Sequence, residues 1–239
     1  MRILVTGASG RIGAAFVAAY QGEGLELLRA DLADHDPHSE WPFHHLDVTD
    51  DDACQDACRD IDAVLHLAAD PRPDADFATA VLPVNIGGTY NMACAAVTAG
   101  VQRFVFASSA QAVEGYPVDR QVRETDAPCP ANDYGAGKAF GEALCASLAV
   151  RSSTSFIAVR IGNYGPEAPD PATSSLRDRA AWLSPRDATQ LLRLALVRPS
   201  DGYMVAHGVS DNAVKRLAID TTTLTLGYRP RDDAFAGDE

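Results

Sequence analysis

Tyr134 and Lys138 stand four residues apart. On a helix that spacing puts both side chains on one face, one turn from each other. Seven tyrosines and two lysines in 239 residues would give such a pair by chance only about 0.06 times. A tyrosine with its ordinary pKa of about 10 is a poor base at neutral pH. A nearby ammonium stabilises the phenolate. Tyr134 can then take a proton from a substrate alcohol or return one to a ketone. Ser108 and Ser109 offer hydroxyls for the reacting oxygen, and Ser109, 25 residues before Tyr134, is preferred. Asn85 is a further candidate, with an amide that either bonds backbone or relays a water.

Interconverting an alcohol and a ketone also moves a hydride, and the N-terminus offers a place for its carrier. Gly7-Ala8-Ser9-Gly10-Arg11-Ile12-Gly13 has the spacing Gly-x-x-Gly-x-x-Gly. It lies between an apolar, β-branched run and a helix-forming run. Gly7 suits the tight turn, Gly10 a close backbone approach to a pyrophosphate, and Gly13 close packing of helix on strand. The N–H groups of the following helix would face the phosphates. Asp31, 18 residues beyond Gly13, stands where a carboxylate can bond ribose hydroxyls, or simply opens a loop. A carboxylate there repels a 2′-phosphate, so NAD is expected over NADP. Arg11 weakens that preference, since it could hold a 2′-phosphate. Asp47-Val48 could face the adenine, although an Asp there could also just start a helix. The small residues of Leu67-Ala68-Ala69 leave room for the cofactor. With such a cofactor bound, its positive nicotinamide would help stabilise the phenolate, and Lys138 gains a second task in holding the nicotinamide ribose.

The elements that must position these groups alternate along the chain. Strands are expected at Arg2–Thr6, Leu25–Ala30, Phe43–Leu46, Ile61–Leu67, Arg103–Ala107, Ser155–Ile161 and Tyr203–Ala206. Helices are expected at Arg11–Gln21, Asp50–Arg59, Phe77–Ala99, Tyr134–Val150 and Asp187–Val197. Strands joined by helices imply a mostly parallel sheet covered on both faces. The expected fold is therefore α/β, a Rossmann-like doubly wound parallel sheet with a small C-terminal cap. One NAD-binding domain should span 1–239, with the cap drawn from 162–186 and 208–239.

Composition narrows the partners. A formal net charge of −13 disfavours nucleic acid and anionic membranes. No apolar run approaches the roughly 18–20 residues that span a bilayer. Met1-Arg2 leads straight into a short strand rather than a leader, so a cytoplasmic location is expected. The five cysteines are scattered and odd in number, which predicts reduced thiols. Cys54 and Cys58 share a helix face downstream of His44 and His45, but no second ligand pair completes a metal site, and none is expected. The His35/Asp36/His38 cluster reads as a polar loop before Trp41.

The ordered segments Thr6-Gly7-x-x-Gly10-x-x-Gly13, Leu65-His66-Leu67-Ala68-Ala69, Asn85-x-x-Gly88-Thr89, Phe106-Ala107-Ser108-Ser109, Tyr134-x-x-x-Lys138 and Arg160-x-x-Asn163-Tyr164-Gly165-Pro166 carry a resemblance. Together they resemble an extended short-chain dehydrogenase/reductase of the NAD-dependent epimerase/dehydratase superfamily, over essentially the whole chain. The resemblance implies a catalytic Ser109, Tyr134 and Lys138, with Ile161 and Asn163 beside the nicotinamide. A narrower resemblance, to uronate dehydrogenases and related short sugar dehydrogenases, rests on Ala181-Trp182-Leu183-Ser184-x-x-Asp187 and Leu226-Gly227-Tyr228-x-Pro230. It implies that Arg177 reads a sugar carboxylate, with Arg72 and Arg179 as rivals. It places Ala110, Gln111 and Asn163 in the substrate pocket. Ala110-Gln111 replace that family's Asn-His, Pro71 replaces a polar residue, and Asn163 replaces a serine.

These readings converge on an NAD-dependent oxidoreductase for a small sugar, sugar acid or polyol. A nucleotide-sugar epimerase or dehydratase would use the same site but would need a larger cap. A homodimer is expected through the two longest helices, whose apolar positions exceed one buried stripe.

Overall fold

The computed structural model describes residues 1–33 and 43–237. The His35/Asp36/His38 cluster lies outside them. Seven strands form one sheet: β1 (Arg2–Thr6), β2 (Glu26–Asp31), β3 (Phe43–His45), β4 (Ala63–His66), β5 (Arg103–Ser109), β6 (Ser155–Ile161) and β9 (Tyr203–Gly208). Their order is β3-β2-β1-β4-β5-β6-β9, and every pairing is parallel. The chain winds outward from β1 in one direction and from β4 in the other. The crevice between those two strands, at their carboxyl ends, is the switch point where ligands of such sheets sit.

The two-residue period of a strand explains the two cores. Ile3 and Val5 of β1, Leu65 of β4, Val105 of β5 and Ile157 of β6 face one side. There they meet Phe16 and Val17 of α1 (Arg11–Tyr20) and Leu191 and Leu192 of α6 (Pro185–Val197). Leu4, Val64, Phe104, Phe106 and Phe156 face the other side. Their partners come from α2 (Asp51–Ala57), α3 (Thr89–Thr98) and α4 (Asp133–Arg151), including Cys54, Met92 and Leu144. Each large apolar side chain so buried contributes roughly 1.5–3 kcal/mol.

The expected helix over Phe77–Ala99 divides. Phe77–Gly88 is a wider π-type turn containing Pro83, and α-helix begins only at Thr89. Proline lacks an N–H and clashes with the carbonyl four residues back, so regular α geometry cannot run through it. β5 extends to Ser109, two residues beyond expectation, because it pairs along its whole length with β6.

Parts of segments 162–186 and 208–237 are in contact. A two-stranded piece, β7 (Asn163–Tyr164) with β8 (Trp182–Leu183), brackets the short α5 (Leu176–Ala180). Chain beyond β9 is bonded to it: Ser210 N–H donates to Trp182 O (2.9 Å) and Arg216 N–H to Ala180 O (2.9 Å). That chain also contains α7 (Asp220–Leu226), which ends at Gly227 with φ of 74°, a left-handed cap that glycine adopts without cost.

Candidate active site

A cleft of about 850 Å³ opens at the carboxyl ends of β1, β2, β4, β5 and β6. Its floor at one end is the glycine turn. Gly7 has φ of +69°, and a Cβ there would lie 2.7 Å from Ala68 N. A Cβ on Gly13 would run into Gly7 O. Both positions therefore require glycine, one for its dihedral and one for close packing. The turn delivers α1 to the cleft with its N-terminus bare. α2, α4, α5 and α6 each begin under a side-chain cap from Asp50, Asn132, Ser175 and Ser184. α1 has no such cap and no acidic residue in its first turn. Ser9 Oγ, in the same turn, is buried without a hydrogen-bond partner. Uncapped helix N–H groups beside an orphaned hydroxyl suit a diphosphate, whose oxygens would satisfy both.

Asp31 ends β2 at the rim of this region. Its carboxylate accepts from Ser9 N–H and Leu32 N–H, both at 2.8 Å. Asp31 thus ties the second strand to the glycine turn and keeps lone pairs for a further donor. Asp47 accepts from the backbone and hydroxyl of Thr49 (2.8 and 2.7 Å), and these bonds hold its carboxyl below the usual range. Val48, Leu67, Ala68, Ala69, Arg11 and Ile12 line the same half of the cleft. Arg11 lies 6.0 Å over the Tyr164 ring.

At the other end the cleft meets Ser109, Ala110, Gln111, Tyr134, Lys138, Ile161 and Asn163. α4 carries Tyr134 and Lys138 and starts where Asn132 Oδ1 accepts from Gly135 N–H (2.7 Å). Asn132 Nδ2 also donates to Gln111 Oε1 (2.9 Å), so Gln111 fixes the cap of the helix that bears both residues. Lys138 is buried. Its Nζ donates to Ala107 O (2.8 Å) and lies 5.6 Å from the centre of the Tyr134 ring. Burial pushes Lys138 down to about 8. Burial also pushes Tyr134 up, against a hydrogen bond with Ser109 that pulls it down; the nearby Asp70 carboxylate adds to the rise.

The two serines at the end of β5 diverge. Ser108 Oγ donates to Glu142 Oε1 (2.6 Å) beneath the cleft. Ser109 Oγ accepts from Gln111 N–H (3.1 Å) and joins Tyr134.

Two expected site residues do not line the cleft. Asn85 is buried, and its amide accepts from Asp70 N–H (2.8 Å) and donates to Asp70 O (3.0 Å). Of the two roles open to it, backbone support is the one the structure displays. Arg177 is engaged in the cap: Nε donates to Glu114 Oε1 (2.7 Å), Nη2 to Glu114 Oε2, and Nη1 to Asp178 Oδ1 (3.1 Å). Conversely, Asp70 lines the cleft beside Tyr134 without having been singled out from sequence. Its place directly after the small Ala68-Ala69 pair was the available signal.

A family model described as the NAD dependent epimerase/dehydratase family matches residues 3–183. The chain belongs to that family, and its cofactor is NAD. It is 36% identical to the NAD-dependent glucose-6-phosphate dehydrogenase of Haloferax volcanii, covering 97% of this chain and 94% of that protein. It is 35% identical to the L-arabinose 1-dehydrogenase (NAD(P)(+)) of the same organism, covering 98% and 97%. A solved mutant of uronate dehydrogenase from Agrobacterium tumefaciens, complexed with NAD, superposes with a TM-score of 0.88 at 28% identity, covering 98% and 86%.

Proposed function

We propose that the protein is an NAD-dependent dehydrogenase that oxidises a hydroxyl of a small sugar, sugar acid or polyol. The observation that carries this reading is one cleft holding both an uncapped helix N-terminus beside Asp31 and the Ser109–Tyr134–Lys138 group. The relatives support it, since they act by name on monosaccharides and uronates. The epimerase alternative is less supported.

In this reading the glycine turn and α1 hold the diphosphate, Asp31 the adenosine ribose, and Asp47 with Val48 the adenine. NAD bound there would supply the hydride acceptor and a positive charge, and Lys138 would add a second cation that favours the phenolate against the burial of Tyr134. Tyr134 then takes the hydroxyl proton at Oη while the carbon loses its hydride and becomes a carbonyl. Ser109 bonds the reacting oxygen and keeps it against Tyr134. Lys138 keeps two N–H groups beyond the one given to Ala107 O, enough to reach the nicotinamide ribose and the phenol. The cap segment that follows β6 borders the sugar end, where Asn163 contributes an amide.

Leu82, Tyr90 and Phe140 are exposed on neighbouring elements, which supports pairing of two copies through the π-type turn, α3 and α4. The five cysteines are unpaired, which fits the reducing cytoplasm as its location. The test of function is a panel of aldoses, uronic acids and polyols offered with NAD and read as NADH absorbance. Release of NADH with one class of sugar supports the reading. Tightly bound NAD that is never net reduced, with interconversion of a nucleotide-sugar, favours the epimerase.

A further inference from the structure

The relatives divide among a neutral pentose, a phosphorylated hexose and uronates, so family membership leaves the charge of the substrate open. The charged groups around the sugar end of the cleft bear on it. Among the described residues lining the cleft, the cations are Arg11 and Lys138. Arg11 belongs to the glycine turn that holds the diphosphate in this reading, with its guanidinium 6.0 Å over the Tyr164 ring. Lys138 is buried beneath the reacting centre and bonded to Ala107 O.

The three arginines that could approach from outside are all engaged. Arg177 is held by both oxygens of Glu114 and by Asp178. Arg72 grips Asp70 through Nε (3.0 Å) and Nη2 (2.6 Å). Arg179 donates to Ala234 O (2.9 Å) and lies 4.2 Å over the Phe235 ring. Asn163, which lines the cleft, donates from Nδ2 to Asp178 Oδ1 (3.2 Å), the oxygen that Arg177 also binds. Beside Asp70, the groups at this end of the cleft are uncharged: the amides of Asn163 and Gln111, the Ser109 hydroxyl and the Tyr134 phenol. Asp70 joins them in the cleft wall, paired with Arg72, and Glu114 and Asp178 hold Arg177 nearby, on a chain of net charge −13. A carboxylate or phosphate at the Tyr134 end would meet this field with no cation among the described residues free beside it, and burying an unpaired charge is costly.

We infer that the substrate is an uncharged aldose. Glu114 sets this specificity by locking Arg177 into the cap, where the guanidinium holds α5 against the turn that follows β5. The inference rests on the dehydrogenase reading and deepens it. It replaces the expectation that Arg177 reads a sugar carboxylate.

The experiment measures kcat/KM with NAD for L-arabinose, D-glucose and D-galactose against D-glucuronate, D-galacturonate and glucose 6-phosphate. It uses the wild type and Arg177→Ala. The expected result is a preference of about tenfold or more for at least one neutral aldose over every anionic sugar. Arg177→Ala should leave the ratio of acid to neutral activity unchanged. That ratio does not depend on the fraction of variant that folds. A wild type that prefers a uronate or the phosphate, or a variant that loses the acid selectively, overturns the inference while leaving the dehydrogenase reading intact. No NADH from any sugar overturns both.

Discussion

The side-chain amide of Asn85 grips the backbone of Asp70 at both ends, accepting from its N–H at 2.8 Å and donating to its carbonyl at 3.0 Å. Asp70 forms the cleft wall beside Tyr134, so a residue in the π-type turn shapes the active site without entering it. Asn85→Ala leaves both Asp70 groups to find other partners. It should cost about 1–3 kcal/mol in urea denaturation and raise KM for the sugar. A variant as stable and active as the wild type contradicts this role.

A second support lies deeper. Arg160 on β6 donates to both oxygens of Glu142 on α4 (2.9 and 2.8 Å), and Ser108 adds a third bond. Both charged side chains are almost fully buried, at 1% and 3% exposure. Removing one partner strands the other charge, so Glu142→Ala should lose about 3–5 kcal/mol of stability in denaturant unfolding. A loss below about 1 kcal/mol, the range of an exposed pair, would mean that water reaches Arg160.

Lys138 gives the stability a pH dependence. Burial lowers it from 10.5 to about 8 in the folded chain, whereas the unfolded chain keeps its proton to about 10.5. Between those values the unfolded state binds more protons, so this residue makes stability rise with pH across that window. Below pH 8 both states are protonated and the contribution is flat. Lys138→Met removes the term. The Tm of the ligand-free wild type, minus that of the variant, should grow from about pH 8 toward pH 10. A constant difference would place Lys138 in a wetter site.

Asp31 accepts from the glycine turn, and in the proposed function it also bonds the adenosine ribose. Asp31→Ala should weaken NAD binding and narrow the gap to NADP, because a hydrogen bond and a repulsion of the 2′-phosphate vanish together. Titration of both cofactors by fluorescence measures it. A wild type that already prefers NADP would refute the assignment.

Features carried by local spacing were legible in the sequence. The glycine turn, Asp31, Ser109, Tyr134 and Lys138 each sit at a strand end or helix start whose position the strand–helix alternation announces. What was not legible depends on pairings between distant residues. Glu114 lies 63 residues before Arg177, so nothing near Arg177 announces that its charge is taken. Pro83 signals the split of Phe77–Ala99 into two helical forms, but apolar spacing alone does not separate π from α geometry. The β7–β8 pair is two residues per strand, too short for any period to register.

The most direct test of the account replaces Tyr134 by Phe, which removes only the phenolic oxygen. NADH binding, followed by fluorescence, should stay within a few fold of the wild type, while kcat for sugar oxidation falls by about 10²–10⁴ or more. A purified Tyr134→Phe enzyme that binds NADH and reduces NAD at the wild-type rate would contradict the assignment of the proton to Tyr134, and with it the mechanism.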